Sequence, residues 1–330
     1  MIRLIRAELL RLRKRRAVWF LAVLMAALIV VVLFSYWFDT RPATDAQKAE
    51  FRANYDFAVE DWNDHGEEYL AECQESEAQE RERGNDPSID FGCDTMGPPK
   101  PEDYDYTSGT SHEQMPLLLL GFGAIAAGFL VLVSATYVGA DHAAGTISTQ
   151  LLFAPTRWKV WTAKATATVS AAVAAAIISV ALGGLAAWAV MKAHPKVPAD
   201  ADGPVLPLIK VGLWALLAVI AVALVAFAIS WWFGHTVATV GLLGAAMIGE
   251  MVLAGVKGSL TPWLPGRNLG AIVTGRWSYY VQTCRSTPEG SFCTEVDLFV
   301  SRGHGLVLWG IVLIVTTVSS VLWFSRRDVN

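Results

Sequence analysis

Glu250 stands alone in an apolar stretch, GLLGAAMIGEMVLAG. An ionisable side chain at membrane depth is costly unless it faces a cavity or a partner. Two readings follow. Glu250 is a substrate- or cation-contacting residue on a translocation pathway, or it sits near a helix end, pairs with Lys257 or Arg267 and holds helices together. The flanking Gly249 and Gly255 favour the second reading, as marks of a short or broken helix. Four cysteines form two close pairs in sequence, Cys73/Cys93 and Cys284/Cys293. Neither pair has CxxC spacing, so disulfides in an oxidising compartment are expected ahead of free thiols or a shared metal site. His112, His142, His194, His235 and His304 fall in loops or at the ends of apolar runs, where polar tips at an interface explain them more simply than a metal. There is no HExxH, no GxSxG and no GxGxxG on a strand-to-helix turn, and the dipeptide Gly-Lys never occurs, which excludes a Walker A loop. The expectation is a chain that is not an enzyme, with no catalytic residue, metal or cofactor of its own.

What must position such residues is set by composition. Of 330 residues, 54% are hydrophobic and 17% charged, against about 45–50% and about 25% in soluble domains; mean hydropathy is +0.41. The formal net charge of −4 hides an asymmetry. Residues 39–115 hold 21 of the 30 acids and six basic residues, while the remainder carries 20 basic residues and nine acids. An acidic block is set into a basic membrane protein.

The uncharged run 17–38 is long enough to cross a bilayer as a helix. Further spans are expected at 116–138, 160–191, 206–232, 236–256 and 304–325, rich in Ala, Gly, Ser and Thr that allow close helix approach. The basic leader 1–16 resembles a signal-peptide n-region, but the apolar run is too long and no small-residue cleavage site follows. Its seven Lys and Arg residues, with Arg326 and Arg327 after the last span, place both termini in the cytoplasm. Lys192, Lys196 and Lys210 dissent, because they flank a loop that this topology puts outside. The leader itself is an imperfect amphipathic helix, with Ile2, Ile5, Leu9 and Leu12 along one side, suited to anionic headgroups.

Two outside segments follow from this topology. In the acidic domain 39–115, Phe51, Tyr55, Ala58/Val59, Trp62, Tyr69 and Cys73 recur at helical spacing. Thr44-Asp45-Ala46-Gln47 has capping-box form, and Gly84-Asn85-Asp86-Pro87 reads as a stop. Residues 94–112 read as an irregular return. The acids lack the DxDxDG alternation of a calcium loop, so a solvated face is expected. The loop 257–303 contains a candidate re-entrant segment, 258–275, with two prolines.

Between the second and third spans lies DHAAGTISTQLLFAPTRWKVWTAK, residues 141–164. Gly145-Thr146 is expected to start a short apolar helix that Pro155 halts, with Thr156 capping the next helix. The segment 139–159 then lies across the base of two spans. Its run Asp141-x3-Gly145-Thr146-x4-Leu151-Leu152-x2-Pro155-Thr156-Arg157, followed by Ala163-Lys164, resembles the signature of ABC-2 type transporter permeases. The layout is similar too: basic leader, large first outside loop, six spans. Asp141 stands where the family carries Glu, and the 77-residue first loop is larger than in many members.

The resemblance implies an all-α membrane protein of the cell membrane with six transmembrane helices, N-in and C-in, and a helical extracytosolic insertion between the first two. It implies the transmembrane subunit of an ATP-binding-cassette exporter, paired with a second copy or a homologous permease and set among membrane lipids. ATP and Mg would be held by a separate ATPase subunit; no nucleic acid is expected as a partner. Asp141 and Arg157 are the residues expected to touch the ATPase, shaped by Gly145, Thr146 and Pro155. The family moves drugs, lipids, polysaccharides or peptides. A competing reading is a membrane-anchored sensor or binding protein acting through residues 39–115; an intramembrane enzyme would need a second ionisable group facing Glu250.

Overall fold

A chain this apolar satisfies its backbone in lipid by folding into helices, and helices dominate the computed structural model. It describes residues 1–84, 90–101, 114–195, 205–287 and 290–326. In chain order the elements are α1 (Ile2–Lys14), α2 (Arg16–Asp39), α3 (Asp45–Gly84), α4 (Met115–Ala143), α5 (Thr146–Phe153) and α6 (Arg157–Ala176). A π-helical segment, Ile177–Leu182, joins α6 to α7 (Gly183–Ala193). Then come α8 (Val205–Phe233), α9 (Thr236–Val256), α10 (Pro265–Thr274), strands β1 (Arg276–Thr287) and β2 (Gly290–Ser301), and α11 (Arg302–Arg326). Among the described residues six helices are long and apolar enough to cross a membrane: α2, α4, the continuous run Arg157–Ala193, α8, α9 and α11. This is a multi-pass membrane protein.

The chain divides into two units. In the first, α4, α6 and α8 form the packed centre. Ala126 on α4, Ala172 and Ala176 on α6 and Ala223 on α8 are fully buried, small side chains that let the backbones close in. Gly139 is one such approach: a Cβ there would lie 2.7 Å from the Thr236 backbone nitrogen at the start of α9. The Ser179 hydroxyl, in the π turn, donates to the Phe122 carbonyl at 2.6 Å and pins the bulge to α4. By contrast α9 turns its apolar surface outward, with Val237 83% and Val256 80% exposed, as a lipid-facing helix does.

The expected loop 257–303, with its candidate re-entrant segment 258–275, holds a short helix and a hairpin. A 3-10 turn, Gly258–Trp263, leads into α10, which is buried against α8 and α11. Asn268, fully buried, donates to the Pro262 and Leu264 carbonyls at 2.8 and 2.9 Å. The Trp309 indole N–H donates to the Pro265 carbonyl at 2.9 Å, tying α10 to α11. Strands β1 and β2 then form a two-stranded sheet, so the fold is not purely helical.

The second unit comprises residues 39–109 and 282–296. Its 40-residue α3 is about 60 Å long at 1.5 Å per residue. The capping box at its start is reciprocal: the Gln47 backbone N–H donates to Thr44 Oγ1 at 3.3 Å, and the Thr44 N–H donates to Gln47 Oε1 at 3.0 Å. The apolar stripe from Phe51 to Trp62 is half-buried, whereas Tyr69 is exposed. Glu77 accepts from the Phe91 N–H at 2.9 Å, and the Cys73–Cys93 disulfide, with Cα atoms 5.9 Å apart, clips the returning chain to the helix. In the hairpin, Gln282 donates to Glu295 at 3.0 Å. Residues 102–112 of the expected return, with His112, lie outside the described residues, as do the stop residues 85–87 and the side chains of Cys284 and Cys293.

Candidate coupling site at the leader end

Where the leader meets the bundle, a largely buried knot of charge gathers residues from several elements. Glu8 is the one acid in α1, and it is buried to 1% exposure. Lys164, in the first turns of α6, is fully buried. Its Nζ donates to Glu8 Oε2 at 2.9 Å and to Asp141 Oδ2 on α4. Arg15 closes the other side of Asp141 through Oδ1 and donates to the Thr136 carbonyl at 3.2 Å. The Tyr137 hydroxyl donates to Glu8 Oε2, and its ring lies 4.7 Å from Lys164 Nζ. Gln150 of α5 and Arg11 of α1 each donate to Glu8 Oε1 at 3.2 Å. Two buried carboxylates thus face one buried ammonium and two guanidinium groups. Such a set persists in a low-dielectric interior only because each charge is paired and hydrogen-bonded.

Local sequence explains why these side chains converge. Leu12, with Val133 and Tyr137, makes the apolar half of the seat for α1, and the buried stripe of the leader runs through Glu8 rather than past it. Ile2, expected on that stripe, is 75% exposed. Arg15 leaves helical geometry (φ −74°, ψ 123°), so α1 turns away from α2 while its guanidinium reaches Asp141. After α4, Gly145 adopts φ +64°, a left-handed conformation that side-chain-bearing residues resist. Thr146 Oγ1 donates back to the Asp141 carbonyl at 3.1 Å. That turn brings α5 against the end of the bundle, with its own Ile147 and Gln150 buried there. Pro155 precedes α6, and Thr156 occupies the cap position but its side chain makes no capping bond; its carbonyl accepts from Lys159 N at 3.0 Å.

The residues singled out from sequence separate into two groups. Gly145 and Thr146 form the turn into α5, and Pro155 lies between α5 and α6. Asp141 and Arg157 do not point outward. The second span continues to Ala143, so Asp141 lies within α4 at 5% exposure with both oxygens engaged inside. Arg157 donates to the Phe324 carbonyl at 2.9 Å, fastening α6 to the end of α11. Three large apolar side chains face outward there, Leu152 82% exposed, Phe153 88% and Trp158 56%, beside exposed Thr149, Thr156 and Lys159. Beneath them a cluster of Val138, Ile147, Trp161, Phe227, Trp231 and Phe324 joins four spans, and the Trp161 indole donates to Ser320 Oγ at 3.1 Å.

Glu250 belongs to the opposite end. Its carboxylate accepts from the Gly266 and Arg267 backbone N–H groups, both at 2.9 Å, and so caps the first turn of α10, where a negative charge meets the positive end of the helix. The partners are backbone amides rather than the expected Lys257 or Arg267 side chain. Glu8, Tyr137 and Gln150 were not picked out by sequence reasoning. The signal was present: one acid in a basic leader and one lysine inside an apolar span call for each other. Among the described residues no three His, Cys, Asp or Glu side chains are grouped to hold a metal. Compared with family models, curated proteins and solved structures, the chain gives no match.

Proposed function

We infer that this chain is the permease subunit of an ATP-binding-cassette exporter of the cell membrane, driven by a separate ATPase and paired with a second permease. The observation that carries the reading is the connector α5. It is a short helix packed against the end of the bundle, tied through Gln150 to the leader and through the buried knot to α4 and α6. A displacement of α5 would therefore pass to two spans and the leader together. The apolar face of Leu152, Phe153 and Trp158 supplies the dock for the ATPase, while Asp141 and Arg157 hold the lever rigid behind it. The leader end is cytoplasmic on this reading, by its excess of Lys and Arg.

The test is a mild-detergent purification of the tagged chain from its native membranes, with mass spectrometry of what accompanies it. Wild type should bring a Walker A ATPase, and Leu152→Asp/Phe153→Asp should lose it while keeping the wild-type melting temperature. Surface positions are chosen because alanine at Asp141 would break the buried knot and unfold the end being tested. If folded wild-type protein brings no ATPase, the permease reading fails, and the sensor reading, working through residues 39–115, takes its place.

A further inference from the structure

At the end of the bundle away from the leader, an apolar groove of about 590 Å³ opens between α4, the π segment with α7, and α8. Met115, Ile177, Trp188, Ile209, Gly212 and Leu213 are among the residues lining it. Its lip faces outward from the single chain: Leu185 is 61% exposed, Leu213 57% and Ile177 54%. The π turn contributes Ile177, Val180 and Ala181 to the wall; such bulges recur at functional positions. From Ala176 to Trp188 the groove wall covers thirteen residues, about 18 Å. That is close to one leaflet, half of a hydrocarbon core of about 30 Å.

Charge stands at its mouth. Lys192 lies one turn beyond Trp188, with Nζ 5.5 Å from the indole centroid. Lys210 is exposed on the stretch of α8 that supplies Ile209 and Gly212. A tryptophan is the residue favoured at the membrane–water boundary, and lysine stems run along apolar surface to reach it. These are lysines that the charge rule for topology leaves unexplained.

We propose that the groove holds one acyl chain of an anionic phospholipid from that leaflet, its phosphate held by Lys192 and Lys210. The depth matches a single chain, the wall offers it no polar competition, and the cations match the headgroup sign. This assignment is independent of what the protein transports.

The experiment is native mass spectrometry of the full chain released from nanodiscs containing equal phosphatidylglycerol and phosphatidylcholine. Wild type should retain one phosphatidylglycerol, about fivefold to thirtyfold in preference to phosphatidylcholine, as one to two lysines near a headgroup allow. Lys192→Glu/Lys210→Glu should abolish the preference. Gly212→Leu, whose Cβ would sit 3.6 Å from Val180, should fill the groove and remove retained lipid of both kinds. Should Gly212→Leu misfold, Leu213→Trp at the exposed lip is the second filling variant. Equal retention of the two lipids by wild type, or retention undiminished in a folded filling variant, overturns the proposal. So does a lipid-free dimer of the Leu213→Cys variant that crosslinks through that cysteine, which would make a second copy the occupant.

Discussion

Lys164 sets the energetics of the leader end. It neutralises Glu8 and Asp141 at once, and removing one member of a buried ionic set leaves the others uncompensated, typically at about 3–5 kcal/mol. Lys164→Met should therefore lower the detergent melting temperature sharply and free the leader to protease. A variant that melts like wild type would mean the knot is not buried. Much of this lay within reach of sequence at single positions, and some did not. Gly145 and Pro155 were legible because their backbone restrictions act locally. The pairing of Glu8 with Lys164 spans 156 residues, and no periodicity reports which distant charges meet. Asp141 was misdirected for a simple reason: a helix end was placed at 138, and five more helical residues turned a surface acid into a buried one.

At the scale of elements, the spans were legible because hydrophobic length is a strong signal, and the capping box at Thr44 because its chemistry lies within four residues. The hairpin was not seen. Gly290–Ser301 does alternate, with Val296, Leu298 and Val300 on one face and Glu295 and Asp297 on the other. The signal lay within a segment expected as a loop, and its partner Arg276–Thr287 breaks the alternation at Tyr279-Tyr280, while two strands alone are marginal in water. Thr287 and Gly290 as inner ends, with Gln282 bonded to Glu295, set positions 284 and 293 opposite each other in the ladder. Glu250 also makes sense only as part of an element, since it stabilises α10 through two amides. Glu250→Ala should cost about 0.5–2 kcal/mol, the range for a lost N-terminal cap, seen as a modest drop in melting temperature and, on the proposed permease reading, with transport retained in proportion to folded protein. Abolished transport at an unchanged melting temperature would restore the pathway role.

For the whole molecule, sidedness is the property that most constrains function. All four cysteines fall in the two segments assigned to the outside, and one pair, Cys73–Cys93, is bonded. A maleimide added to intact cells should give no labelling until a membrane-impermeant phosphine reductant is added, and then label both pairs. Labelling that requires permeabilised cells would invert the topology and put the leader outside, and with it the proposed ATPase dock on the wrong face.

The separation of Glu8 from Lys164 also has a consequence in time. A ribosome adding about 5–20 residues per second makes Lys164 some 8–30 s after Glu8, about 156 residues later. Through that interval the seat is incomplete: Val133, Tyr137 and Asp141 of α4 are made first and offer the leader its apolar half and a partner for Arg15, but Glu8 and Asp141 lack their shared cation until Lys164 follows. The full set of charges therefore closes only when the third span has begun. A chain stalled before that point should hold its leader more loosely, which limited proteolysis of the stalled product would read.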